Sequence, residues 1–497
     1  MEQAPRPAGK PTLDKDLDRM TLHEQAAHHV ARPLIAPGLG LLFLIAAAII
    51  ATATVIQQPG SLLVIAAATI AAYMAMNIGA NDVTNNVGPA VGAKALSMGA
   101  ALMMAALFET AGALIAGGDV VETISDGIIS PAAISDPGTL VRMMIAALLS
   151  SALFVNIATL ANAPVSTTHT VVGGVLGSGI AAAGLDAVNW PSMAGITASW
   201  VISPVLGGLI AAGFLYVIKE TVVYRDDKIA AARVWVPVLI GVMAGSFSAY
   251  LAFKGLNRLF FVSLPHATFF GFATGILSWL AAIPFIRSQA AGLENRNQSL
   301  RKLFRLPLVL TAAILCFGHG ANDVSNAVGP LSAIVNATER ANFGETVAIP
   351  FWVMLIGGLG ISVGLILFGP RLINLVGAQI TKLNPMRAFS VSLSTGVTVI
   401  VASWLGLPVS TTHIAVGAVF GVGFFREWYT RNSSRRLAYM HDRSGMANRH
   451  EHNPDEVRRR YLVRRSHFMT IIAAWVLTVP ASAAMSAALY GLMSLFF

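Results

Sequence analysis

The sequence predicts an all-α fold: a polytopic helical membrane protein made of two inverted repeats, with broken or re-entrant helices at a central site. Three observations lead there. The 497-residue chain is 55% hydrophobic and 11% charged, with a mean hydropathy of +0.68, whereas a soluble domain carries about 25% charged residues. Apolar runs of about 20 residues, long enough to cross a bilayer, recur along most of the chain. Two motifs each occur twice, in the same order and at nearly the same spacing.

Reading apolar runs between polar breaks gives thirteen segments, near residues 34–57, 62–82, 99–117, 139–162, 165–183, 193–218, 234–253, 266–286, 305–325, 346–368, 388–405, 409–425 and 468–494. They group into a polar N-terminal segment (1–33) without a cleavable signal peptide, an extra first transmembrane helix (34–58) and a first repeat (62–222). Linking helices with a basic loop (223–304) and a second repeat (305–497) follow, the latter holding an Arg-rich loop (426–467).

Loop charge sets the direction of threading. If every segment crosses once, the stretches 219–233, 287–305, 371–387 and 426–465 fall on one side with the N-terminus, and all carry Arg or Lys, as cytoplasmic loops do. The opposite loop, 118–138, holds Asp119, Glu122, Asp126 and Asp136 and no basic residue. The stretch with Lys254 and Arg258 disagrees. The expected location is the plasma membrane, the inner one in a Gram-negative cell, with a cytoplasmic N-terminus. The formal charge of +9 is concentrated between Arg426 and Arg465, with 11 Arg against 5 acids, which indicates topology and contact with the lipid bilayer and excludes nucleic acid as a partner. Cys316, the single cysteine, cannot form an internal disulfide.

The repeat is explicit. Gly79–Ala90 and Gly320–Leu331 share nine of twelve positions, and Pro164–Gly177 and Pro408–Gly421 share ten of fourteen. A fainter echo links Trp200–Pro204 to Trp475–Pro480. Seven segments separate the starts of the two units, and an odd number makes them antiparallel, the plan in which a site forms near the midplane between repeats.

The first motif places Asp82 and Asp323 inside apolar runs, where a lone carboxylate costs at least ~2.5 kcal/mol on insertion scales. No Lys or Arg is local; Asn81, Asn85, Asn322 and Asn326 supply amide oxygens, and Gly and Pro permit an unwound backbone. Carboxylate, amide and carbonyl oxygens are the ligands of a hard cation, so Asp82, Asn85, Asp323 and Asn326 are read as holding Na⁺, or each Asp a proton. A polar helix–helix contact is the plainer alternative for one copy. In the second motif, Pro164 and Pro408 disfavour a continuing helix, and the following Ser is placed to cap a new one. Free N–H groups there, with the hydroxyls of Ser166, Thr167, Thr168, Ser410, Thr411 and Thr412, suit a tetrahedral oxyanion; simple capping is the plainer account of one copy. His169 and His413 are expected to pack or hydrogen-bond rather than bind metal. His319 precedes only the second Asp-Asn motif; a proton relay is one reading, and Ile78 in the counterpart position argues against a core role. Glu109, inside a span, is a further candidate for cation coupling, whereas Glu122 is expected to be exposed.

These residues resemble the inorganic phosphate transporter (PiT) family of sodium- or proton-coupled phosphate symporters. The duplicated Gly-Ala-Asn-Asp-Val and Pro-Val-Ser-Thr-Thr-His motifs, with Phe108-Glu109-Thr110 and Glu122-Thr123-Ile124, carry the resemblance across residues 62–222 and 305–494. It implies secondary active import of inorganic phosphate by symport, with Na⁺ favoured and H⁺ as the other option. It implies coupling cations at Asp82, Asp323 and their neighbouring Asn residues, phosphate at the Ser-Thr-Thr runs, and a homodimer. No resident cofactor and no enzymatic activity are expected. Sulfate or another tetrahedral oxyanion is the alternative substrate; an enzyme would need an activated nucleophile or metal cluster, and a passive channel gains nothing from paired intramembrane Asp. Eukaryotic members tend to carry a Glu within the stretch matching Phe389–Ser394, where this chain has Ser392, which leaves Glu109 without that partner.

Overall fold

The structure, a computed structural model, describes residues 34–56, 60–130, 133–134, 136–160, 165–255, 262–339, 349–380, 384–444 and 465–496. The N-terminal segment, Pro164, Arg258 and much of the Arg-rich loop lie outside the described residues. The first half comprises α1 (Leu34–Val55), α2 (Ser61–Gly92), α3 (Met98–Ala116), α4 (Gly118–Asp126), α5 (Pro137–Leu160), α6 (Thr167–Ala183) and α7 (Trp190–Ile218). Two linking helices, α8 (Lys228–Lys254) and α9 (Leu264–Ala290), and the short α10 (Asn297–Leu303) follow. The second half comprises α11 (Arg305–Asp323), α12 (Ser325–Glu339), α13 (Phe351–Ile380), α14 (Pro385–Trp404), α15 (Thr411–Asn432), α16 (Ser434–Ser444) and α17 (Arg465–Phe496).

Eleven helices among the described residues are long and apolar enough to cross a membrane, α11 and α12 counting as one. The protein is therefore a multi-pass helical membrane protein. The two remaining segments of the sequence reading are α6 and α15, and they behave differently. Each packs back on its predecessor, α6 on α5 and α15 on α14, as a hairpin. The two hairpin tips meet: Thr168 Oγ1 donates to the Val409 carbonyl at 3.0 Å, and the His169 ring stands edge-on to His413 with centroids 4.5 Å apart.

The halves interlock. α2 packs on α13 and α11 on α3, while α6 lies against α17 and α15 against α7. Small residues allow these approaches, as is usual where lipid offers no hydrophobic drive for helix association. A Cβ at Gly79 would collide with the Ile361 carbonyl oxygen, and one at Gly320 with that of Glu109. The same correspondence relates Gly177, which abuts Ala483, to Gly421, which abuts Gly208. α1 packs through Gly40, which faces Met76 and Phe368, and through the buried Ala47, Ala51 and Val55, and exposes Leu and Ile on its other face.

The four basic stretches gather at one end, as their charge predicts. Asn295 Nδ2 donates to the Asp226 carbonyl at 2.5 Å, Lys228 Nζ to Tyr439 at 2.8 Å, and Arg435 pairs with Glu220 at 2.9 Å. The exception is also explained. Lys254, at the other end of α8, pairs with Asp119 of the acidic loop, so its charge is neutralised there.

One expectation is not met. α2 runs unbroken through Gly79–Pro89, and the second copy is interrupted only at Val324. The reason lies in burial: the motif packs against α5, α12 and α13, which leaves no solvent to receive unwound backbone. Proline supplies the local defect instead. Pro89 and Pro330 have no N–H, so the carbonyls of Asn85 and Asn326 lose their helical partners.

Candidate substrate and cation site

The two copies of both motifs converge on one buried cluster. Asp82 Oδ1 accepts from Asn81 Nδ2 and Thr412 Oγ1, both at 3.0 Å, and Oδ2 accepts from Thr167 Oγ1 at 3.1 Å. Asp323 Oδ2 accepts from Thr411 Oγ1 at 3.4 Å. Each Asp thus takes a hydroxyl from the hairpin of its own half. The Asn residues reach across: Asn85 Nδ2 donates to Thr412 Oγ1 at 2.8 Å, and Asn326 Nδ2 to Thr168 Oγ1 at 3.2 Å. All four threonines belong to the first turns of α6 and α15.

Ser166 and Ser410 cap those helices, accepting from the backbone N–H of His169 at 3.1 Å and His413 at 3.3 Å. The capping geometry is the one expected from Ser two residues after Pro. It leaves the N–H groups of Thr167, Thr168, Thr411 and Thr412 without intrahelical acceptors, since the first turn of any helix has none. The hydroxyl protons, by contrast, are engaged. A hydroxyl has one proton, and those of Thr167, Thr411 and Thr412 go to carboxylates while that of Thr168 goes to a carbonyl. The anion donors that this arrangement leaves open are therefore the backbone N–H groups at two facing helix N-termini with the hydroxyls of Ser166 and Ser410, rather than the threonine hydroxyls.

Asn322 also differs from expectation. Its Nδ2 donates to Ser403 Oγ and the Leu407 carbonyl, both at 3.1 Å, and its Oδ1 accepts from Val409 N–H at 3.2 Å. Both ends of the amide fasten the second hairpin. Asn81 makes the weaker equivalent, reaching the Val165 carbonyl at 3.5 Å. The candidate cation ligands are consequently Asp82, Asp323, Asn85 and Asn326. Among buried acceptors, Asp323 Oδ1, Asn326 Oδ1 and Asn86 Oδ1 receive no hydrogen bond. Buried oxygens normally have a donor, and a hard cation satisfies such a set.

His319 corrects the sequence reading outright. It lies fully buried among three carboxylates, its Nδ1 3.2 Å from Glu109 and its Nε2 3.1 Å from Asp323 and 3.9 Å from Asp82. Ligand atoms of Asp82, His319 and Asp323 fall within 4.8 Å of one another. The readable signal was its position four residues before Asp323 on one helix face. Glu109 is not partnerless: Asn86 Nδ2 donates to its Oε1 at 2.8 Å, and His319 faces its Oε2. The absence of a counterpart reflects a real asymmetry. The backbone contact of Gly320 with Glu109 matches that of Gly79 with Ile361, so His319 and Glu109 replace Ile78 and Ile361 of the other half. His169 and His413 pack on each other, and His169 also on Trp200 at 3.9 Å. Glu122 is exposed on α4, as expected.

Comparison with known proteins agrees with this geometry. The model of the phosphate transporter family matches residues 78–486. A Helicobacter pylori protein (strain ATCC 700392 / 26695) named as a phosphate permease is 50% identical over 422 residues, 84% of this chain and 79% of its own. A Pyrococcus abyssi protein named likewise is 38% identical over 360 residues, 71% of this chain and 86% of its own. A solved structure described as the sodium-dependent phosphate transporter superposes with a TM-score of 0.77 at 33% identity, covering 88% of this chain and all of that one. Motifs and fold agree, and the chain belongs to the phosphate transporter family.

Proposed function

We propose that this protein imports inorganic phosphate by symport with cations, Na⁺ being the favoured co-substrate, through one site shared by two halves opposed in the membrane. The observation that carries the reading is the double claim on Asp82, which accepts from Thr167 of its own half and Thr412 of the other. A site built in this way changes whenever the halves move relative to each other. The family is one of transporters, which sets aside an enzymatic reading.

Coupling follows from charge. Two like charges 4 Å apart repel by ~4 kcal/mol at an effective dielectric of ~20. Phosphate entering beside Asp82 and Asp323 meets that repulsion until cations neutralise them. Cations in turn bind better once phosphate is present, because the linkage is reciprocal. Backbone N–H donors then hold the anion without a fixed positive charge that would oppose release. The protein whose structure superposes on this chain is sodium-dependent by its description, which supports Na⁺. The placement of His319 among carboxylates favours a second reading, in which a proton takes the place of one cation. Phosphate rather than sulfate is the substrate of this reading, since protonated phosphate donates to a carboxylate and sulfate cannot. The basic end, on this reading, faces the cytoplasm.

The test is uptake of radiolabelled phosphate into proteoliposomes under an inward Na⁺ gradient, with excess sulfate as competitor. Uptake that needs Na⁺ and ignores sulfate supports the proposal. A proton gradient that replaces Na⁺ establishes the second reading, and full competition by sulfate overturns the anion assignment.

A further inference from the structure

At the basic end, α7 closes in a π-helical turn over Lys219–Val223, and its first residue is unusual. Lys219 is only 8% exposed. Its ammonium rests over the rings of Tyr429, 4.1 Å from the centroid, and Phe425, at 5.1 Å. The charged groups acting on it are the guanidiniums of Arg426, Arg387 and Arg436. Arg387, half-buried at the start of α14, has Arg426 and Arg301 as its own charged neighbours. Among the described residues, no carboxylate lies within ion-pair distance of Lys219 or Arg387. The adjacent acid does not serve: Glu220 is held by Tyr429 Oη at 2.6 Å and Arg435 at 2.9 Å.

Cations drawn from α7, α14, α15 and the turn into α16 therefore converge on a nearly buried ammonium. Aromatic faces soften the cost of an unpaired cation but do not cancel repulsion among several. Evolution places such charges together where an anion joins them. Guanidiniums engage phosphate oxygens in pairs, and lysine adds a point charge. We propose that Lys219, Arg387, Arg426 and Arg436 form a second anion site, separate from the transport site, for a phosphate group, supplied either by the headgroup of an anionic phospholipid or by free inorganic phosphate. The surroundings fit both sources. Tyr216 and Trp428, 47% and 57% exposed, provide an interfacial aromatic surface beside which a lipid lies. The site also lies at the end where transported phosphate emerges, a point that rests on the orientation proposed above. One helix joins the two sites: α15 begins at Thr411 and Thr412 and carries Arg426 and Tyr429 fourteen or more residues later.

The experiment measures thermal unfolding of the purified full-length protein in nanodiscs of phosphatidylcholine alone or with phosphatidylglycerol, and with inorganic phosphate against chloride of equal ionic strength. It uses wild type, Asp82→Asn to disable the transport site, and the pairs Lys219→Gln with Arg387→Gln and Arg387→Gln with Arg436→Gln. A rise in Tm with phosphatidylglycerol that both pairs abolish, and Asp82→Asn retains, identifies the lipid source. A rise with phosphate in phosphatidylcholine that Asp82→Asn retains, and both pairs weaken at least tenfold in apparent Kd, identifies free phosphate. The proposal is overturned if neither ligand shifts Tm in Asp82→Asn, or if both pairs respond as that variant does. Loss of uptake in Asp82→Asn alone, with these shifts intact, bears only on the transport site.

Discussion

Thr412 donates its hydroxyl to Asp82 at 3.0 Å across a separation of 330 residues, whereas its counterpart Thr168 donates to the Val409 carbonyl. The duplicated motifs thus make one site with unequal sides: Asp82 is clasped by both hairpins, and Asp323 by one hairpin and His319.

Removing the clasp separates these roles. Hydrogen bonds to charged groups contribute about 1.5–3 kcal/mol, or roughly 10–100-fold in an equilibrium. Thr412→Val is expected to lower phosphate uptake by about that factor, and Thr412→Ser to restore most of it. Initial rates in proteoliposomes decide the matter; equal loss in both variants would point to packing of the methyl group instead.

The carboxylates are expected to differ in kind from the amides around them. Asp82→Asn keeps shape and removes the charge that the cation neutralises, so Na⁺ stimulation of phosphate binding should vanish rather than shift. Asn85→Ala, which leaves the carboxylate, should raise the Na⁺ concentration for half-maximal uptake roughly tenfold. Phosphate binding measured against Na⁺ distinguishes the two behaviours.

The Glu109–His319 pair can be tested by copying the other half. His319→Ile alone strands a buried carboxylate, which costs about 3–5 kcal/mol. His319→Ile with Glu109→Ile reproduces Ile78 and Ile361 and should recover much of the lost Tm, though not transport. A double variant no more stable than the single one would remove the electrostatic account.

Close helix approach sets a steric limit. A Cβ at Gly320 meets the Glu109 carbonyl, backbone that cannot rotate away. Gly320→Ala should cost at least the ~1–3 kcal/mol typical of overpacking and lower folded yield in size-exclusion chromatography. Gly99→Ala, with open space at its Cβ, is the control expected to be neutral.

Outside the membrane, Asp136 accepts from the Thr139 backbone N–H at 2.9 Å and side chain at 3.2 Å at the start of α5. The backbone N–H groups of Gly138 and Thr139 hold its carboxyl below the usual carboxylate range. A depressed folded pKa gives stability that is present above the unfolded value, about 3.9, and lost as pH falls through the folded one. Asp136→Ala should therefore lower Tm at pH 7 and converge with wild type as pH falls through the folded pKa.

Much of this was legible in the sequence, for identifiable reasons. The gathering of basic loops and the meeting of Asp82, Asp323 and the four threonines follow from hydropathy, charge and duplication, which act over long stretches, whereas of the thirteen segments read only eleven are long and apolar enough to cross among the described residues. The hairpin form of α6 and α15 was not legible, because apolar length alone does not say whether a segment crosses or turns back. The direction of the threonine protons depends on sub-ångström geometry between helices hundreds of residues apart. His319 was missed because comparison of the repeats favours what they share, and its contribution lies in where they differ.

On the proposed reading, that difference bears on which way the carrier faces at rest. If the halves simply exchanged roles, a molecule with twofold identity would have inward- and outward-facing forms of equal free energy in the absence of a gradient. On the proposed reading, the exchange of Ile78 and Ile361 for His319 and Glu109 contributes a difference in free energy between the two resting forms, and the expected consequence is a transporter that rests mostly facing one side.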